Sequence, residues 1–121
     1  MTTVSCDGKS LLIDGKTTVS LPYVIRQAFE HDGIVVVLMD PNDYLNDPSY
    51  TKERRRGNDP FRNLIGLSPD GNRLWEAEFP DAVDYYYKIV SRQPLVALSF
   101  SSFRCRIDIR TGVILERVFL K

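Results

Sequence analysis

The densest concentration of reactive side chains in the chain is Lys52, Arg54, Arg55 and Arg56. Ammonium and guanidinium groups packed this closely suit phosphate or carboxylate partners. A tyrosine triplet, Tyr85, Tyr86 and Tyr87, offers rings on which bases could stack. Alternation along a strand points Tyr85 and Tyr87 one way and Tyr86 the other, so the three cannot form one stacking face. Sixteen basic and sixteen acidic residues also cancel, which removes the cationic excess of a general nucleic-acid binder. A nucleic-acid-associated role for the basic loop at 52–56 is therefore the alternative reading.

Other candidate chemistry is thinner. Asp40, Asp43 and Asp47 could chelate a hard cation, but they lack the glycine and terminal glutamate of a calcium loop, and Pro41 and Pro48 stiffen the stretch. His31, the single histidine, falls at a predicted hairpin tip beside Asp32, where a solvated turn residue is expected rather than a general base. Glu76 and Glu78 share the wet face of a predicted strand. Ser99, Ser101 and Ser102 near Cys105 lie in no nucleophile-elbow pattern. Cys6 and Cys105 are expected to be two buried, reduced thiols, since no Cys-x-x-Cys or histidine pair completes a metal set. Gly57 and Gly66 are isolated, so no phosphate-cradling loop is present. The expectation is a protein that is not an enzyme, with no catalytic residues, no metal and no cofactor.

The elements that would carry these residues are strands. Five glycine turns punctuate the chain, at Gly8, Gly15, Gly33, Gly71 and Gly112, four of them preceded by aspartate in the hairpin-forming Asp-Gly arrangement, at Asp7, Asp14, Asp32 and Asp70. Residues 10–13 and 16–21 read as strands around Asp14-Gly15, with Pro22 marking an edge or bend. Residues 23–30 lead into Asp32-Gly33, and a hairpin is favoured over a helix there. Residues 34–39 are apolar at every position, which calls for burial on both faces and a central place in a sheet. Further strands are expected at 61–67, 72–79, 85–91, 95–100 and 103–109, and a last one at 113–120. Trp75, Ala77 and Phe79 share the buried face of theirs, and Trp75 should pack against Val37, Ile107 or their neighbours. Phe103, Cys105, Ile107 and Ile109 alternate with Arg104, Arg106 and Asp108, the cleanest alternation in the chain.

The length of 121 residues fits one β domain over 1–121. It is expected to be all-β and mainly antiparallel, a series of β-hairpins forming a sandwich or blade-like sheets with little helix. Residues 40–60, acidic in front and basic behind, read as a long charged surface loop. Residues 1–10 lack the basic start and apolar core of a secretory leader, and no apolar run is long enough to span a membrane. The expected location is the cytoplasm. Antiparallel edges leave pairing between copies open.

The stretch from Asn63 through Gly66, Pro69-Asp70-Gly71 and Trp75, and the ending Ile107-Asp108 with Thr111-Gly112, Leu115 and Phe119, resemble a group of small bacterial proteins that look like β-propeller blades standing alone. So do Leu12 to Lys16 and Val35 to Met39. Some of that group sit beside polymorphic or contact-dependent toxins as immunity proteins. The resemblance implies a protein-binding module that neutralises a cognate bacterial toxin by stoichiometric occlusion. The charged loop would supply the contacts, through Asp43, Tyr44, Asp47, Tyr50, Lys52, Arg54, Arg55 and Arg56. These residues combine both charge signs, which orient a partner, with the tyrosine and arginine common at interface hot spots.

Overall fold

In a computed structural model, residues 2–48, 62–81 and 84–120 are described. Eleven strands run in chain order through these segments: β1 (Val4–Asp7), β2 (Ser10–Ile13), β3 (Thr17–Ser20), β4 (Ile25–His31), β5 (Ile34–Met39), β6 (Leu64–Leu67), β7 (Arg73–Glu76), β8 (Tyr86–Arg92), β9 (Leu95–Ser99), β10 (Phe103–Ile107) and β11 (Ile114–Phe119). One short helix, α1 (Pro41–Leu45), follows β5. The strands form three antiparallel sheets, each a meander of neighbours in sequence: β1-β2-β3, β4-β5-β6-β7 and β8-β9-β10-β11.

The turn chemistry explains the reversals. Asp14 and Gly15 both have positive φ (55° and 66°), as do Asp32 and Gly33 (53° and 77°). That pairing matches the twist of flanking strands, and glycine adopts it without a Cβ clash.

The sheets stack in three layers, and β5 explains the order. All of its residues are buried. Ile34, Val36 and Leu38 join Phe29, Leu64, Trp75, Ile89, Leu95, Ala97, Cys105 and Ile107 in one core. Val35, Val37 and Met39 join Leu11, Ile13, Leu21, Ile25, Ile65 and Leu67 in another. The middle sheet is therefore covered by the N-terminal sheet on one face and the C-terminal sheet on the other. An antiparallel sheet commonly leaves one face wet; here the unbroken apolar run of β5 records that neither is.

Several expectations change. The strand register opens earlier than the turns suggested, because β1 precedes Gly8 and pairs with β2. Cys6 is exposed, whereas Cys105 is buried; β1 is an edge strand, and Cys6 stays outside the core that its β2 partner Leu11 enters. The loop expected over 40–60 begins with α1. Pro41 occupies its first turn, where a missing N–H costs nothing, and Asp40 Oδ1 accepts from Asn42 N at 2.9 Å as a cap. Residues 49–60 of that stretch lie outside the described residues. Trp75 packs in the core that holds Ile107, but Val37 sits across the middle sheet in the other core. Gly66 lies opposite Trp75 in the β6–β7 register, and a Cβ there would fall among the indole atoms. The glycine makes room for the ring.

Candidate partner-binding surface

The acidic residues at the front of the predicted contact loop are used inside the molecule. Asp43 Oδ2 accepts from Val24 N at 2.9 Å, and Asp47 Oδ2 accepts from the Tyr23 hydroxyl at 2.8 Å. Both carboxylates thus tie the region after β5 to the link between β3 and β4. Tyr44 lies in α1, and its side chain is outside the described set. Tyr50, Lys52, Arg54, Arg55 and Arg56 lie outside the described residues altogether. Of the eight predicted contact positions, only the side chains of Asp43 and Asp47 are described, and each serves a partner within the fold.

The remaining chemical candidates disperse too. His31 ends β4 at the hairpin tip, 3.6 Å from Asp32. Glu76 pairs with Arg73 at 3.3 Å, while Glu78 Oε1 accepts from Ile114 N at 2.9 Å, so the two carboxylates serve different partners. Tyr86 is in the core, its hydroxyl donating to Glu78 O at 2.5 Å. Tyr85 stacks on Phe100 with centroids 5.0 Å apart, and Tyr87 is exposed; the triplet splits across the strand as alternation demands. Burial pushes the Cys105 thiol up from its ordinary value, and it raises the Tyr86 hydroxyl far above its own. Both stay protonated at neutral pH, and a buried neutral thiol is a poor nucleophile. Ser99 Oγ accepts from Phe103 N at 3.3 Å, a strand-end role. Among the described residues no group of three histidine, cysteine or carboxylate side chains is placed to hold a metal ion.

What the fold does assemble is the outer face of the C-terminal sheet. The register sets Arg104 between Leu98 and Val118, and Arg106 between Val96 and Glu116, while Lys88 lies opposite Leu98. A groove of about 260 Å³ opens there, lined by Val90, Ser91, Val96, Arg104, Arg106 and Glu116. Val90 and Val118 are exposed, and Val96 and Leu98 are half-buried. No described carboxylate comes within salt-bridge distance of Arg104 or Arg106, although Glu116 faces Arg106 across the strands. The surface is an apolar floor carrying three cations against one carboxylate. The sequence held one sign of it, the arginine alternation of β10. The rest depends on the bulges of β8, between Tyr86 and Lys88 and between Ile89 and Ser91, which set Lys88 and Val90 beside it.

The two edges of this sheet differ sharply. Side chains in and beside the middle sheet bond part of the β8 edge. Asn63 bonds both backbone groups of Tyr86, Arg26 donates to Tyr87 O at 2.8 Å, and Gln27 Oε1 accepts from Ile89 N at 2.9 Å. At β11, Glu78 occupies only the Ile114 N–H. The rest of that strand carries the exposed Leu115, Val118 and Phe119, followed by Leu120. Beside it runs a groove of about 390 Å³ lined by Glu78, Phe79, Ile114, Leu115, Glu116 and Arg117.

Among the described residues no helix is long and apolar enough to cross a membrane. A family model described as a domain of unknown function (DUF7957) matches residues 1–119. No curated protein and no solved structure matches the chain.

Proposed function

The chain belongs to the DUF7957 family, and on that footing we propose that it is a non-enzymatic protein-binding module whose contact surface is the outer face of its C-terminal sheet. The observation that carries this reading is the pair Arg104 and Arg106, held without an ion-pair partner among the described residues over the floor of Val90, Val96 and Leu98. Arginine over apolar surface is a frequent hot-spot composition, because the guanidinium stays weakly hydrated and can desolvate against a carboxylate. The complementary partner is a protein surface with carboxylates spaced to meet two arginines on alternate positions of one strand, roughly 7 Å apart.

Within this reading, the specific role is neutralisation of a cognate bacterial toxin by stoichiometric occlusion, acting in the cytoplasm. The resemblance of the turn and strand motifs to small immunity proteins supports it. Asp43, Tyr44, Asp47, Tyr50, Lys52, Arg54, Arg55 and Arg56 enter the proposal as a second contact, with Asp43 and Asp47 also bonded to Val24 and Tyr23.

The test is co-expression with the product of each adjacent reading frame, followed by growth rescue and pull-down. A toxin whose lethality is suppressed by the wild type and not by an Arg104→Glu, Arg106→Glu double variant supports the proposal. Failure of every neighbour to bind removes the toxin role. Binding instead to nucleic acid, with affinity falling steeply as salt rises, would replace it with the alternative placed on the basic loop at 52–56.

A further inference from the structure

We propose that a second copy of this chain pairs with the β11 edge, antiparallel about a two-fold axis at Val118, joining two C-terminal sheets into one.

The backbone phase of β11 sets the terms. Leu120 donates its N–H to Ser102 O at 2.7 Å, and the register opposes Phe103 to Phe119 and Arg104 to Val118. Opposed residues alternate between pairs that exchange backbone hydrogen bonds and pairs that do not. Glu116, Val118 and Leu120 therefore spend their backbone groups on β10, and those of Arg117 and Phe119 point away from the sheet. No described residue bonds them. At the opposite edge, β8, Asn63, Arg26 and Gln27 take the backbone groups of Tyr86, Tyr87 O and Ile89 N. The open edge is also apolar: Phe119 is 58% exposed and Leu115 52%. An exposed apolar edge with unpaired amides is a template for another strand.

The phase also selects the occupant's register. Outward residues must oppose outward residues, so a symmetric pair can be centred on Glu116, Arg117, Val118 or Phe119, but never between two of them. An axis at Glu116 sets carboxylate on carboxylate, and one at Arg117 sets guanidinium on guanidinium. Like charges directly opposite are destabilising. Within residues 116–120, an axis at Phe119 leaves one bonded pair, Phe119 with the partner's Phe119, where an axis at Val118 gives two. The axis at Val118 avoids all three faults. It opposes Val118 to the partner's Val118, and Arg117 to the partner's Phe119 in bonded pairs on either side.

Two further features fit this arrangement. Arg117 already lies over an aromatic ring, Phe103, at 5.7 Å, so a second ring from the partner meets a cation held in position. In this register the partner's Phe119 also runs beside residues 115–117, along the groove lined by Phe79 and Ile114. The dimer would set two copies of the Arg104–Arg106 face on one continuous surface.

Sedimentation equilibrium from micromolar to millimolar protein tests the pairing, and engineered cysteines test its register. The wild type should approach twice 13.9 kDa, and Val118→Lys, which puts two ammonium groups at the axis, should remain monomeric with an unchanged circular-dichroism spectrum. In a Cys6→Ser background, Val118→Cys should form an intermolecular disulfide on mild oxidation, because non-bonded pairs bring Cα atoms to about 4.5 Å. Glu116→Cys in the same background should cross-link more slowly. A wild type that stays monomeric at millimolar concentration overturns the proposal. So does a dimer that survives Val118→Lys, or one in which Glu116→Cys cross-links as fast as Val118→Cys.

Discussion

Asn63 pairs with Tyr86 as though its side chain were a strand. Its Nδ2 donates to Tyr86 O at 2.6 Å, its Oδ1 accepts from Tyr86 N at 3.1 Å, and the same Nδ2 donates to Met39 O at 3.0 Å. Asn63 is fully buried. One amide thus joins β5 of the middle sheet to the edge of the C-terminal sheet.

Replacing Asn63 with alanine leaves Tyr86 N, Tyr86 O and Met39 O to seek new partners in a dry interior. Each buried group left unpaired costs about 1–3 kcal/mol, so a total loss of at least about 3 kcal/mol is expected in urea denaturation. Asn63→Asp should be no gentler at neutral pH, since it sets a carboxylate against two carbonyl oxygens, and it should recover stability on acidification. Equal stability of Asn63→Asp and wild type at pH 7 would contradict the assignment of the two donors.

Trp75 and Gly66 form a ring-and-gap pair, and the indole Nε1 also donates to Ile109 O at 2.8 Å. Trp75→Ala should cost about 3–5 kcal/mol, from lost burial and the cavity left behind. Gly66→Ala should cost about 1–3 kcal/mol or more, because the added methyl forces the ring out of place. Thermal melts of both variants measure this, and a loss under about 1 kcal/mol for Trp75→Ala would mean the ring is not a core element.

The two cysteines should separate cleanly by reactivity. Cys6 is exposed and Cys105 buried with a raised pKa. A thiol reagent near pH 8 should label Cys6 in the native protein and reach Cys105 only after denaturation. Native labelling of Cys105 at a comparable rate would show that the core opens readily.

Alkaline pH should unfold the protein through the same residues. Cys105 and Tyr86 both bind their protons more tightly folded than unfolded, chiefly because burial disfavours the anion. Above the ordinary thiol value of 9.0 the unfolded chain therefore holds fewer protons, and stability falls as pH rises. Below it this contribution is complete. Cys105→Ala should flatten the decline between about pH 9 and 10, before tyrosine begins to contribute. An unaltered alkaline slope would remove Cys105 from the account.

Arg104→Ala with Arg106→Ala should leave the melting temperature nearly unchanged, since exposed charges without ion-pair partners contribute within about 0.5 kcal/mol. Affinity for the protein partner should drop by at least about tenfold, or 1.4 kcal/mol. Titration calorimetry measures it, and undiminished affinity would move the contact surface elsewhere.

Much of the architecture can be read from local signals. Asp14-Gly15 and Asp32-Gly33 announce their turns through glycine at positive φ, and the unbroken apolar run of β5 announces a strand covered twice. The alternation of Phe103, Cys105 and Ile107 with Arg104 and Arg106 declares an inner and an outer face. Less local features are not written this way. The side of the middle sheet that Trp75 occupies depends on the glycine directly opposite it on the neighbouring strand, Gly66, and Val37 and Val36 look alike in sequence. The prolines and mixed charges of residues 40–60 read as a surface loop, and the capped helix α1 at its start is missed. Asp43 and Asp47 instead meet Val24 and Tyr23, a pairing that only the folded chain creates. The candidate surface was half legible: the arginines stand out, whereas the placement of Lys88 and Val90 depends on two bulges.

The double covering of β5 has a kinetic corollary. Either outer sheet can detach while β5 keeps one hydrophobic lining, yet displacing β5 empties both at once. Its amides should exchange with deuterated solvent at the rate of global opening. Those of β1 and β11, at opposite margins of the stack, should exchange through smaller and more frequent excursions. A molecule built this way can loosen at its rims, where contact is proposed, without risking its centre.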